Sequence, residues 1–311
     1  MTTDKLRRGT SRDVVAPRTR VLAMLVALAT VVSAFIGGGL APSAADASSA
    51  KHTGTVNVLY AGSLLDLMQQ QIGPAFHKAT GYTVSGIANG STALATEIKG
   101  GTVVGDVFLS ASPTADAGLM GPPNGGWVTS YQVFGRSPLV LGYNPSSSFA
   151  TSLRTQPWYN VVTESGFLLG RTDPATDPKG VLAVDALTGV ALSYNIPQLA
   201  TLAASTSNVF AETSLVGELQ AGQLDAGFFY GVEASAAHLK TAPLVGTGLY
   251  AKYTVALLKN APHTAAAKAF ISFLLSTKGR KILKSNGVAP IVPALFFDSS
   301  NLPTRTTTAA G

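Results

Sequence analysis

Twice in this chain a short apolar run turns through Gly-Ser into a second apolar run, and no other feature constrains the fold as much. The first copy is Ala61-Gly62-Ser63-Leu64. Ahead of it Val56, Val58 and Tyr60 alternate with smaller or polar residues, the period of a half-buried strand over residues 55–60. After it Leu64, Leu65, Leu67, Met68 and Ile72 follow the helical period, and Ser63 stands where an N-cap belongs. The second copy is Asn89-Gly90-Ser91-Thr92, ahead of Leu94 and Ile98. A strand that turns into a helix aims free backbone N–H groups, and the positive end of the helix dipole, at one point. That is an anion site in outline. Either serine alone reads as a plain cap; the pair points to a site.

The rest of the chain fits around these turns. A helix from Leu64 to near Lys78 stops at Gly81. A strand over 82–87, a helix from Ser91 to Lys99 and a strand over 103–109 complete a βαβαβ, three-layer α/β arrangement. Pro113 to Asp116 begins a short helix. A second α/β lobe spans 135–240, with strands at 137–143, 166–170 and 226–230. Its helices run over 181–192 and 196–204, from Ser214 to a stop at Gly222, and from 231. Residues 149–165 read as an irregular helical segment. A strand over 249–258 leads back to the first lobe, and helices over 265–275 and 277–285 close the chain. The expected division is a signal peptide over 1–47, lobe I from 48–134 plus 250–297, lobe II over 135–249, and a disordered Ser/Thr/Pro-rich tail over 298–311. Two connections between lobes make a hinge and put a cleft between them.

Lys5, Arg7, Arg8, Arg12, Arg18 and Arg20 precede an apolar run from Val21 to Ile36, and Ala45-Asp46-Ala47 offers a small-x-small cleavage site. This is the pattern of a signal peptide removed after Ala47. The run is also near the lower limit for crossing a bilayer, so an uncleaved anchor is the alternative. Either way the body works outside the cytoplasm. The chain has no cysteine, which excludes disulfides, thiol catalysis, Cys-ligated zinc and a lipid-modified N-terminal cysteine. The net charge is +6, but only 12% of residues are charged. No dense Lys/Arg cluster occurs in the body, which argues against nucleic acid as a partner. His52, His77, His238 and His263 lack metal-ligand spacing. There is no P-loop or GxGxxG, and no Gly-x-Ser-x-Gly elbow, which counts against a secreted α/β hydrolase. No cofactor is expected.

At these residues the chain resembles the molybdate- and tungstate-binding receptors of ABC importers, which have the type II periplasmic-binding-protein fold. The likeness covers roughly residues 55–295. It rests on the two Gly-Ser turns, on Gly105-Asp106-Val107-Phe108-Leu109-Ser110-Ala111, on Asp173-Pro174-x-x-Asp177-Pro178-x-Gly180, and on Leu219-x-x-Gly222-x-Leu224-Asp225-x-Gly227-Phe228-x-Tyr230. The resemblance implies a monomeric receptor that hands molybdate or tungstate to a membrane permease and its ATPase. It further implies that Ser63 and Ser91 bind oxyanion oxygens, that Lys179 supplies a backbone N–H, that the helix start at Thr213-Ser214 supplies another, and that the Tyr230 hydroxyl donates. In one branch carboxylates also reach the metal centre; Asp177 matches that branch's aspartate, while its glutamate falls near Phe229 here. Asp177 also reads as an Asp-Pro turn former, or as an acceptor for the proton of hydrogenphosphate. Phosphate, sulfate or a small organic acid is therefore the alternative ligand. Asp106 reads as a structural turn residue, Arg136 and Arg171 as hinge or surface groups, and Trp127, Trp158 and Tyr159 as packing.

Overall fold

The computed structural model of the protein describes residues 52–302. The strand before the first Gly-Ser turn is β1 (Thr55–Ala61). β2 (Thr83–Asn89) and β3 (Val107–Ser110) lie parallel on its two sides. Helices α1 (Gly73–Thr80) and α2 (Ser91–Gly100) form the crossovers, so the expected βαβαβ unit is present. β1 is covered on both faces rather than half-buried: Val56, Val58 and Tyr60 join a layer with Phe76 and Phe270, while Leu59 packs with Leu94, Ile98 and Phe108. A central strand in a parallel unit has helices on both sides, which removes the solvent face that strict alternation implies.

Between the first turn and α1 the chain is not a regular helix. Gly62–Leu64 is a 3-10 turn and Leu67–Ile72 is a π-helix. Pro74 lies just inside α1. It has no N–H to donate, and in a regular helix its ring would crowd the carbonyl four residues back; a wider turn relieves both. Gly81 ends α1 with φ 88°, as expected of a left-handed helix stop. β3 begins at Val107 rather than at residue 103, because Asp106 bonds sideways. Its carboxylate accepts the N–H groups of Asn57 (2.7 Å) and His263 (2.6 Å), which is the structural role expected of it.

After the short α3 (Pro113–Ala117) comes the longest strand, β4 (Val128–Tyr143). Then follow α4 (Ala150–Thr155), α5 (Trp158–Val161), β5 (Leu169–Thr172), α6 (Pro178–Tyr194) and α7 (Pro197–Ala204). β6 (Val209–Phe210), α8 (Leu215–Gln220), β7 (Ala226–Tyr230), α9 (Gly231–Ala236) and β8 (Lys240–Ala242) come next. The chain closes with β9 (Tyr250–Leu258), α10 (Thr264–Leu275), α11 (Thr277–Ser285) and β10 (Ala289–Asp298). The strand order is β2-β1-β3-β9-β4-β7-β5-β6, with β8 and β10 also paired to β4. Along β4 the partner changes: residues 128–138 pair with β9, and residues 139–143 pair with β7. Both strands that join the two halves of the sheet are thus antiparallel neighbours.

Trp158 is buried and donates to the carbonyl of Val245, the packing role expected of it. Arg171 is not a surface group. It is buried and donates to the carbonyls of Thr172, Ala203 and Ser205, tying β5 to the end of α7. β10, β6 and β8 have no counterpart in the periodicity reading, since each is short or broken by proline. Asp298 starts a hydrogen-bonded turn with Ser300 and Asn301. The rest of the expected tail, and the expected signal peptide, lie outside the described residues.

Candidate functional site

The two Gly-Ser turns end neighbouring parallel strands, β1 and β2, so they emerge side by side at one edge of the sheet, at its carboxyl ends. Neither serine is an N-cap. Ala61 and Gly90 hold the cap positions, without side-chain capping bonds, and Ser63 and Ser91 lie inside the helical turns that follow. That shift leaves both hydroxyls for other work. Ser91 is fully buried, and its oxygen accepts the N–H of Ala111 (3.0 Å). Its hydroxyl hydrogen remains to be given elsewhere. Ser63 pairs with the hydroxyl of Tyr253 (2.9 Å), which β9 brings in from the strand joining the halves of the sheet.

The other half faces these turns with β7, α6, α8 and α9. Tyr230, the last residue of β7, is buried, and its hydroxyl finds no hydrogen-bond partner among the described residues. Its ring meets that of Tyr253 edge-on at 6.1 Å. Asp177 occupies the cap position of α6 without capping it; its Oδ2 accepts the hydroxyl of Thr172 (2.7 Å). The side-chain turn bond in this loop belongs to Asp173, whose Oδ1 accepts the N–H of Ala175 (2.9 Å). The loop ahead of α6 touches α2 directly: the N–H of Ala93 donates to the carbonyl of Thr176 (3.0 Å).

Lys179 differs most from expectation. Expected to supply a backbone N–H, it also carries a fully buried side chain, whose Nζ donates to Glu233 Oε1 (2.6 Å) and Glu212 Oε1 (3.2 Å). Glu233 in turn accepts the N–H of Tyr230 through Oε2 (2.8 Å). Burial pulls the Lys179 ammonium down, but Glu233, Glu212 and Asp177 together outweigh it and hold the group above its usual value. Burial pushes Glu212 well above the ordinary carboxylate range and raises Asp177, with Lys179 opposing in both cases. Burial likewise raises the hydroxyls of Tyr230 and Tyr253. Ser214 stands just before α8, half-buried, and its hydroxyl donates to Ala211. Its backbone N–H bonds to the same carbonyl, so both donors of Ser214 close the turn ahead of α8.

The sequence reading missed Glu212, Glu233, Tyr253 and Thr172. A signal existed for the ion pair: in a chain where 12% of residues are charged, a lysine inside Pro178-Lys179-Gly180-Val181-Leu182-Ala183 needs a partner. Which partners it has is a matter of three separate elements meeting. Among the described residues, no group of His, Asp or Glu side chains is placed to hold a metal ion, and no helix is long and apolar enough to cross a membrane.

Paired helix starts on one half of a mixed sheet, joined by two long antiparallel strands to a second half that carries buried donors, define a two-lobed periplasmic-binding-protein fold of type II. The periplasmic molybdate-binding protein of Azotobacter vinelandii has this fold at TM-score 0.59 and 20% identity, over 76% of this chain and 99% of that one. The family model for bacterial extracellular solute-binding proteins matches residues 56–289, and the chain belongs to that family. Relatives include the molybdate/tungstate-binding protein WtpA of Pyrococcus abyssi, 24% identical over 89% of this chain and 94% of its own length. A putative ABC transporter molybdenum-binding protein of Haloferax volcanii is 30% identical over 70% of this chain and 67% of its own length.

Proposed function

We propose that the protein captures molybdate or tungstate outside the cytoplasm and delivers it to the permease and ATPase of an ABC importer. The observation that carries this reading is the Tyr230 hydroxyl, buried and without a partner among the described residues, at the end of a strand whose tyrosine ring meets that of Tyr253, the residue that holds the buried Ser63 hydroxyl. A buried unsatisfied hydroxyl costs free energy that a ligand oxygen recovers. Fixed neutral dipoles can hold a dianion away from water, at about 1.5–3 kcal/mol for each hydrogen bond to a charged group. The names of the relatives support the same ligand class. The backbone N–H groups of Lys179 and Thr213 complete the proposed donor set; that of Ser214 is already given to Ala211.

Titration calorimetry of residues 48–311 with molybdate, tungstate, sulfate and phosphate tests the proposal. Binding of the first two at micromolar concentration or tighter is expected. Tight phosphate binding without measurable molybdate binding would favour the other oxyanion class. The basic, apolar and small-residue order of residues 1–47 supports export with cleavage after Ala47. Intact-mass measurement of the secreted protein should find it beginning at Ser48; the uncut mass would mean an anchor instead.

A further inference from the structure

Two buried oxygens in this site have no bonding partner among the described residues: Oε2 of Glu212 and the hydroxyl of Tyr230. Both oxygens of Glu233 are engaged, Oε1 by Lys179 at 2.6 Å and Oε2 by the Tyr230 N–H at 2.8 Å. Glu212 receives only the longer of the two lysine bonds, on Oε1. An ionised buried carboxylate with a bare oxygen bears a desolvation cost that the neutral acid avoids. Burial accordingly pushes Glu212 well above the carboxylate range, and Glu233 and Asp177 add to the effect against Lys179. Because Oε1 faces an N–H donor, the acid hydrogen belongs on Oε2.

That oxygen lies at the first Gly-Ser turn. A Cβ on Gly62 would overlap it, so only glycine admits the carboxyl there. A pocket of about 200 Å³ opens beside it, lined by Gly62, Ser63, Asp66, Glu212, Thr213 and Glu233 among others. The charged and titratable groups around Glu212 are Asp177 and Lys179 at the start of α6, Glu233 on α9, Tyr230 at the end of β7, Tyr253 on β9 and Asp66 after the 3-10 turn.

Resting on the oxyanion reading above, we propose that Glu212 binds the ligand as a neutral carboxylic acid, donating its Oε2 hydrogen to an oxyanion oxygen, so that capture holds one proton in the site. An ionised Glu212 would repel a dianion, whereas the acid adds a donor. The ligand class that follows is an oxyanion without protons of its own, which offers acceptors only. Calorimetric titration of the purified protein with sodium tungstate from pH 6 to pH 9, in paired buffers of different ionisation enthalpy, counts the proton. The dissociation constant should rise by about tenfold per pH unit once Glu212 begins to ionise, and up to one proton should be taken up per tungstate bound there. Glu212→Gln, whose amide also donates, should keep binding and lose both the slope and the uptake; this separates Glu212 from Asp177. Binding that ignores pH and takes up no proton overturns the proposal, and so does a Glu212→Gln protein that binds more tightly at every pH. The wild-type proton count decides the matter even if the variant does not fold. Failure of the wild type to bind tungstate, molybdate, sulfate or phosphate at any of these pH values overturns the oxyanion reading, and this proposal with it.

Discussion

Ser91 can donate because its oxygen is already occupied by the Ala111 N–H, and Ser63 is oriented by Tyr253. Both were legible as special positions, although the role of cap expected of them was wrong: each sits inside its helical turn rather than ahead of it. Ser63→Ala and Ser91→Ala are each expected to weaken molybdate binding by about 1–3 kcal/mol, the loss of a donor to a charged ligand. Circular dichroism should show both folds intact, and unchanged calorimetric affinity in both variants would remove the proposed site. A different prediction concerns Asp116, which is fully buried. Its Oδ2 accepts the Thr254 hydroxyl, its Oδ1 is unpartnered among the described residues, and burial raises its pKa to about 8. A carboxyl raised on folding is protonated in the native state while the unfolded chain has already released its proton, so stability falls as pH rises from about 4 to 8, on the order of 1 kcal/mol per unit. Asp116→Asn should flatten that decline. Thermal melts of both proteins from pH 5 to pH 9 would check it, and parallel declines would show that Asp116 is not the group responsible.

At the scale of elements, the two Gly-Ser turns work through what glycine leaves out. A Cβ on Gly90 would collide with the carbonyl oxygen of Thr176 and stand 3.1 Å from Cβ of Asp177. The start of α2 and the loop before α6 can meet only because that atom is missing. The backbone of Gly90 has φ −57°, which alanine adopts freely. Gly90→Ala should therefore leave the melting temperature close to wild type while lowering molybdate affinity tenfold or more, about 1.4 kcal/mol, by holding the loop away from α2. Equal affinity in the variant would mean that this contact plays no part in binding. Helix and strand positions were largely readable here, since strong apolar periods bounded by glycine mark them. The π-helix over Leu67–Ile72 was not, because its cause is Pro74 acting backward on a turn already formed.

At the scale of the molecule, β4 and β9 tie the halves together. β4 changes partner from β9 to β7 near Pro138 and Leu139. Ser137 reinforces this point, accepting the N–H of Val232 and donating to the carbonyl of Gly287. Two antiparallel strands with a change of partner form a natural bending line. The expected outcome of small-angle scattering is a smaller radius of gyration with tungstate than without it. An identical radius in both states would count against lobe closure, though calorimetry could still register binding.

By itself the sequence determined the α/β class, the paired helix starts and the out-and-back chain path. Each of these follows from local periods and from turn chemistry a few residues long. Only the tertiary structure decided that Lys179 is a buried cation, that Glu212 and Glu233 are its partners, and that Tyr253 orients Ser63. Glu212 and Glu233 lie 33 and 54 residues from Lys179 along the chain. No local pattern distinguishes a carboxylate that will be buried from one left in water. The difference arises when α6, α8 and α9 pack together, because only then does desolvation force each charge to find a partner or to keep its proton.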